Sequence, residues 1–354
     1  MTDVTIHVLR QIDIADSIDL GALRRLAASG DLPAGARLGP QDPATPGVVP
    51  ATPPVDLTLA QTTVGALSAA VRIRVFDFGV VAVRFTFART GLANGDLVRL
   101  GTDVAALSAA FDREARRLWQ VLVPAVGAAL TPGDGGLELD EDFTVYVLSG
   151  PLHGEAGEAA LVHLLLAEPE SRRLAPSLRR AFVDQAIRYY EDDLLLLSWD
   201  SAVIVEPAGA LDVVNVLEIA SAQLLEVRYY DAIVRRATAA LTADAAKART
   251  TWWLLRSPFT ALARRAATLA LEVGEIGDRL ETAITLVGDS YTVTVYREAA
   301  RRFRLVESRQ AVQQDIETLA AVSETFGTDV HSRRAIVLEV LIILLILIEV
   351  LKAW

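Results

Sequence analysis

The stretch AAVRIRVFDFGVVAVRFTFA, Ala69 to Ala88, is rich in Val, Ile and Phe and is punctuated by Asp77 and Gly79. That is the composition of two strands joined by a tight turn. The flanks extend the pattern. Upstream, VTIHVLRQIDI (4–14) carries enough alternating apolar residues to predict a strand, and SIDLGALRRLAASG (17–30) predicts a short helix capped by Ser17 and ended by Gly30. Downstream, DVAALSAAFDREARRLWQVLVPAVGAAL (103–130) has helical spacing through Leu107, Phe111, Leu118 and Val121. The GDGG at 133–136 stops that helix before the strand-like DFTVYVLSG (142–150). The order βαββαβ predicts an α+β class with a split βαβ, ferredoxin-like arrangement.

The remaining chain divides by composition. PAGARLGPQDPATPGVVPATPP (33–54) holds seven prolines, whose fixed φ and missing amide donors predict an exposed loop. Residues 157–193 predict two helices around Pro169 and Pro176, and LLLLSWDSAVIVEP (194–207) predicts a further hairpin turning at Asp200 and Ser201. These elements make residues 1–206 one α+β domain. Residues 207–330 predict a helical or coiled-coil region, with apolar stripes at Leu269, Val273, Ile276, Leu280, Ile284, Val287 and again at Val312, Ile316, Leu319, Val322, Phe326. VGDSYTVTVYRE (287–298) should kink or break it.

Composition bounds the function. The 354 residues are 52% hydrophobic with a net charge of -11, which disfavours a nucleic-acid surface because phosphate binding needs clustered cations. Only Lys247 and Lys352 are lysines among 34 cations, the bias of a GC-rich bacterial genome. With no cysteine, disulfides, thiolate catalysis and thiolate metal sites are excluded. The N-terminus lacks a basic segment followed by an apolar one, so no secretory signal is expected and the bulk of the chain should be cytoplasmic.

The last residues, 333–354, predict a C-terminal transmembrane helix. Ala335–Leu351 spans 17 residues, near the lower limit for a core of about 30 Å. Roughly fourteen large aliphatics contribute about -6 kcal/mol, against up to about +3 for each of Glu339 and Glu349 at mid-bilayer. Lying about 15 Å apart, the two acids sit nearer the interfaces, where their cost falls. Arg333 and Arg334 before the span predict a tail anchor in the cytoplasmic membrane with the main domain inside. A helix apolar all round can equally be buried in an oligomer with its acids paired.

Candidate chemistry is sparse. The Asp77-Phe78-Gly79 triplet has the kinase magnesium motif's letters but none of its companions, so Asp77 reads as a turn residue. His153, Glu155, Glu158 and His163 are metal-ligand types at the wrong spacing, and the glycines 150, 154 and 157 lack a phosphate-loop pattern. Ser149 with His153 would be a nucleophile and base, but no orienting acid follows at a recognisable spacing. Trp252 and Trp253 with Arg256, Arg264 and Arg265 suit either helix packing or a membrane interface. Arg297, Arg301, Arg302, Arg304 and Arg309 form a local basic run: a solvated helix face, or a contact for anionic headgroups or RNA.

The segments at 4–26 and 71–85, and above all the closing HSRRAIVLEVLIILLILIEVL (331–351), resemble the required-for-meiotic-nuclear-division family. In that family a basic residue is followed by Leu-Glu, an Ile/Leu run and a second glutamate, matched by Arg334, Leu338, Glu339 and Glu349. The resemblance implies a membrane-associated, oligomeric protein with no established catalytic residues. The expected protein is therefore a non-enzymatic, tail-anchored oligomeric scaffold or tether that binds membrane lipid and a protein partner and uses no cofactor. The alternative is a soluble oligomeric hydrolase or ligand-binding protein with its last helix buried in the oligomer.

Overall fold

The structure is a computed structural model and describes residues 1–30, 32–39, 48–131, 139–152, 154–207, 209–250, 284–286, 290–318 and 321. It is a mixed α+β architecture that separates into two units. Unit 1 comprises Met1–Tyr229 and Ala283–Val306, and unit 2 comprises Tyr230–Thr282 and Glu307–Trp354.

Unit 1 is built on an eight-stranded mixed sheet. Its strands are β1 (Thr2–Asp13), β3 (Arg37–Leu38), β5 (Val55–Val64), β6 (Leu67–Val75), β7 (Val80–Leu92), β9 (Asp140–Leu148), β10 (Leu194–Leu197) and β11 (Ser201–Val205), in the order β10-β11-β9-β1-β7-β6-β5-β3. Only the β11–β9 pair is parallel. Two short ribbons flank it: β2 (Ser17–Ile18) with β8 (Leu130–Thr131), and β4 (Val48–Pro50) with β12 (Ile284–Leu286).

Alternation sorts the side chains of each strand onto two faces. One face presents Val4, Ile6, Val8 and Ile12 of β1 beside Val83, Phe85 and Phe87 of β7. Helices α1 (Leu20–Ser29), α2 (Asn94–Ala106), α3 (Ser108–Val126) and α4 (Gly154–Leu166) cover it, and Phe111, Leu122 and Leu164 are fully buried there. Each such side chain contributes about 1.5–3 kcal/mol relative to exposure. Helix α5 (Pro176–Asp184) has no buried residue. Helices α2 and α4 approach so closely that a Cβ on Gly101 would stand 2.9 Å from the Leu164 carbonyl oxygen, so only glycine fits.

The opposite face of the sheet is covered by the first half of α6 (Leu211–Thr250) and by α7 (Tyr291–Arg302). At the β9–β11–β10 end it is apolar: Phe143, Val145, Leu195, Leu197 and Ile204 pack with Val214, Leu217, Val293 and Phe303. At the β7–β6–β5 end it is charged, as described below.

Several expectations meet corrections. The cap of α1 is Asp19, whose Oδ1 accepts from Ala22 N at 2.9 Å, because Ser17 is already engaged in β2. The helix expected over 103–130 is two helices meeting at Leu107. Between 33 and 54 the backbone is not all loop, since β3 and β4 form there. Ile284, assigned to a helical stripe, lies in strand β12.

The tail-anchored reading is not supported: among the described residues no helix is long and apolar enough to cross a membrane. Membrane insertion and a cytoplasmic-membrane location are withdrawn on that finding. Glu339, Glu349, Arg333 and Arg334, on which that reading rested, lie outside the described residues, as do Trp252, Trp253 and the stripe at 269–280.

Candidate functional site

Three places in unit 1 concentrate polar or aromatic chemistry. The first is the buried charged face between the sheet and α6. Asp56, Arg72, Arg74 and Arg84 share one face of neighbouring strands because the register pairs Asp56 with Arg74 and Arg72 with Arg84. Helix α6 lowers Asn215 and Glu218 onto them, three residues apart and so on one side of the helix. Arg74 donates from Nη1 to Glu218 Oε2 at 2.8 Å and from Nε to Asp56 Oδ1 at 2.8 Å. Arg84 donates from Nη2 to Asn215 Oδ1 at 2.7 Å and also pairs with Glu218, while Arg72 pairs with Asp56. Gln11 of β1 donates to the Glu218 carbonyl at 3.1 Å and accepts from Ser221 Oγ at 2.8 Å.

The Glu218 side chain is 0% exposed, so this network is an internal lock rather than a solvent-open site. Asp56 is held below the usual carboxylate range: burial works to raise it, and the bonds from Arg74 and Arg72 outweigh that. His7 lies beside the network, its Nδ1 3.0 Å from Thr86 Oγ1. Burial, and then the charge of Arg84, push its imidazole down to about 3.

The second place is the far end of the same face. Asp13 ends β1, and Glu141 on β9 pairs with Arg228 of α6. Tyr229 donates to Asp16 at 2.6 Å. Burial and then the charge of Asp16 raise Asp13 to about 7. Burial also raises Glu141 to about 7, with Arg228 opposing and Asp142 and Asp140 adding to the rise.

The third place lies where the chain leads into β10. Asp193 accepts from Tyr189 N at 2.7 Å and from Tyr190 N at 2.9 Å, fixing the backbone of an otherwise exposed turn. The rings of Tyr189 and Tyr190 are 61% and 64% exposed. Their centroids are 4.8 Å apart with planes at 87°, and Tyr291 at the start of α7 stands 5.5 Å from Tyr189 at 53°.

The residues singled out from sequence scatter. Asp77 sits in the β6–β7 turn, where its carbonyl accepts from Ile18 N at 2.8 Å. Gly79 takes φ 88°, and a Cβ there would lie 1.7 Å from the Ala15 carbonyl oxygen. Ser149 Oγ accepts from Asp3 N at 3.2 Å, and His153 lies outside the described residues. His163 is buried in α4 with Nδ1 3.0 Å from the Glu168 carbonyl oxygen, whereas Glu155 and Glu158 are exposed. No group of acids and histidines able to hold a metal occurs among the described residues. A hollow between β1 and α3 lined by Arg10, Asp112, Arg116 and Asp140 has room for about one water.

In the basic run, Arg301 pairs with Glu298, and Arg302 donates to Gln185 at 3.1 Å and lies 5.9 Å from the Phe182 ring centre. Arg297 and Arg304 are exposed.

A family model described as "Uncharacterized protein MJ0711, N-terminal domain" matches residues 3–212, more than half of the chain. The chain belongs to this MJ0711 N-terminal domain family. A relative, "Uncharacterized protein MJ0711" of Methanocaldococcus jannaschii, is 25% identical over 171 residues. Those residues are 47% of this chain and 51% of the relative, so the chain spans about half the length of the curated relative it matches. No solved structure matches the chain. The MJ0711 match replaces the resemblance to the required-for-meiotic-nuclear-division family, and the relative is archaeal rather than bacterial. The closing pattern at 331–351 that carried that resemblance lies beyond the matched residues.

The buried Arg74 and Arg84 and the half-buried Arg72 carry no motif in the sequence. A signal existed: arginines at alternate strand positions, and Asn215, Glu218 and Ser221 at three-residue spacing within an apolar helix. The tyrosine corner gave no pattern, since 102 residues separate Tyr189 from Tyr291.

Proposed function

We propose that the chain is a non-catalytic ligand-binding protein that works as a homo-oligomer, with the α+β unit as a rigid platform. One observation carries the reading: two exposed tyrosines, Tyr189 and Tyr190, stand on a turn that the Asp193 carboxylate fixes, with the half-buried Tyr291 packed against Tyr189. Ligand sites favour such amphipathic rings on a scaffold that does not need ordering. Among the described residues, three side chains a hydrolase could use have partners: His7 with Thr86, His163 with Glu168, and Ser149 with Asp3. The strand order β9-β1-β7-β6 and its antiparallel pairings support reading that quartet, with α1 and α2–α3, as ferredoxin-like, extended by β11–β10 on one side and β5–β3 on the other.

The test is hydrolysis of p-nitrophenyl acetate and p-nitrophenyl phosphate by the full chain. Rates should stay at the buffer background and be unchanged by Ser149→Ala. Turnover lost in that variant would overturn the non-catalytic reading. Light scattering on the full chain tests assembly, and a mass of 38.1 kDa, the monomer, would remove the oligomer.

A further inference from the structure

We propose that the outer surface of α7 and the segment beside it, residues 179–192, bind a second copy of this chain about a two-fold axis. The inference rests on the homo-oligomer reading and names what the tyrosine pair meets. Two contacts lay the segment along the helix: Tyr291, at the start of α7, stands 5.5 Å from Tyr189, and Arg302, at its end, donates to Gln185 and lies 5.9 Å from the Phe182 ring centre. Eleven residues of helix separate Tyr291 from Arg302, about 16 Å. Between them Thr294, Arg297 and Arg301 are exposed, at the three- and four-residue spacing of one helix face.

This strip is polarised along its length. Its Arg302 half carries five guanidiniums, of Arg179, Arg180, Arg297, Arg301 and Arg302, against the carboxylates of Asp184 and Glu298. Around the tyrosines stand the carboxylates of Glu191, Asp192, Asp193 and Glu206, against the guanidinium of Arg188. Burial first, and then the charges of Asp193 and Glu206, push the Tyr291 phenol up, so the field at that ring is negative. The dipole of α7 opposes this pattern with about half a charge at each end, less than either imbalance.

A strip of this kind complements itself. After a half-turn about an axis through its middle, the acidic end of one copy meets the arginine end of the other, and the contact occurs twice. With a net charge of -11, two copies repel over most of their surface, and a strip of alternating sign is where contact turns attractive. Tyr189 and Tyr190, 61% and 64% exposed, add rings of the type enriched at interfaces, and a guanidinium from the second copy can lie flat on an exposed ring. Because the turn is already pinned by Asp193, little ordering accompanies docking.

The experiment is sedimentation velocity on the full chain across a concentration series, with two charge-reversed variants, Arg180→Glu/Arg301→Glu and Glu191→Arg/Asp192→Arg. The parent should sediment as two chains, twice 38.1 kDa. Each variant alone brings like charges together at both contacts and should dimerise at least about tenfold more weakly. Mixed in equal amounts, the two variants should pair with each other, because one then carries only acidic ends and the other only basic ends. Tyr190→Ser should weaken the parent dimer by about fivefold or more. All the substituted side chains are exposed, so thermal melts matching the parent confirm folding. Where a double variant melts early, Arg180→Glu and Glu191→Arg alone give the same comparison. Association unchanged in any of these variants, or charge-reversed variants that stay apart when mixed, would overturn the interface and leave the oligomer reading standing. A parent of one chain at every soluble concentration would overturn both.

Discussion

Arg74 and Glu218 are 144 residues apart in the chain, yet the guanidinium Nη1 stands 2.8 Å from Oε2 with both side chains buried. A pair of this kind adds little net stability over apolar packing, but breaking it is costly because the survivor stays charged in the interior. Glu218→Ala should therefore lower the stability of unit 1 by about 3–5 kcal/mol. The midpoint of urea unfolding measures this. Glu298→Ala, which removes an exposed pair with Arg301, should change it by about 0.5 kcal/mol or less.

Asp13 raised to about 7 makes folded unit 1 hold a proton that the unfolded chain has already released. Stability from this group is complete below the unfolded carboxylate range near pH 4 and is lost as pH rises toward 7, by at most about 1.4 kcal/mol per pH unit. Glu141 acts in the same direction. Asp13→Asn, neutral at every pH, should be more stable than the parent at pH 8, with the difference shrinking toward pH 5. Denaturation midpoints at the two pH values give the comparison, and a gap that widens toward pH 5 would contradict it.

His7 acts with the opposite sign. With its folded value lowered to about 3, the unfolded chain takes up a proton near pH 6.5 that the folded chain refuses. Its contribution is present above pH 6.5 and is lost as pH falls toward 3. His7→Gln should gain on the parent between pH 7 and pH 5, by up to about 1.4 kcal/mol per unit below 6.5. In a parallel titration, NMR should find the His7 ring neutral at pH 5.

Gly79 closes the β6–β7 turn at φ 88° against the Ala15 backbone. Gly79→Ala combines a left-handed conformation with a contact that only backbone movement can relieve, and should cost about 3 kcal/mol. Gly127→Ala, where the added Cβ meets nothing within 4 Å, is the control and should be near neutral on a thermal melt.

Period-two patterning made β1, the β6–β7 hairpin, β9 and the β10–β11 hairpin readable, and Pro169 and Pro176 marked the break between α4 and α5. Strand β5, VDLTLAQTTV, passed unnoticed because its apolar residues weaken after Leu59, where the pairing with β6 also shifts register. The buried arginines were hidden by a general rule: Arg at alternate positions ordinarily marks a solvent face. What reversed it was a helix bearing Asn215 and Glu218, more than 130 residues after Arg84, which no local window contains. The tail from Ala335 spoke strongly of a membrane, but local hydropathy does not decide between lipid and protein surroundings. The tyrosine corner depends on tertiary assembly alone.

The sharing of Glu218 between Arg74 and Arg84 also has a consequence for the order of synthesis. The family match ends at residue 212, whereas Asn215, Glu218 and Ser221, which complete the polar face, follow it. A nascent or proteolysed chain stopping at that boundary would contain all eight sheet strands, yet Arg84 would have neither Asn215 nor Glu218 to receive its guanidinium. The evolutionary module and the physical folding unit therefore end at different residues, and the sheet waits for the helix that comes after it.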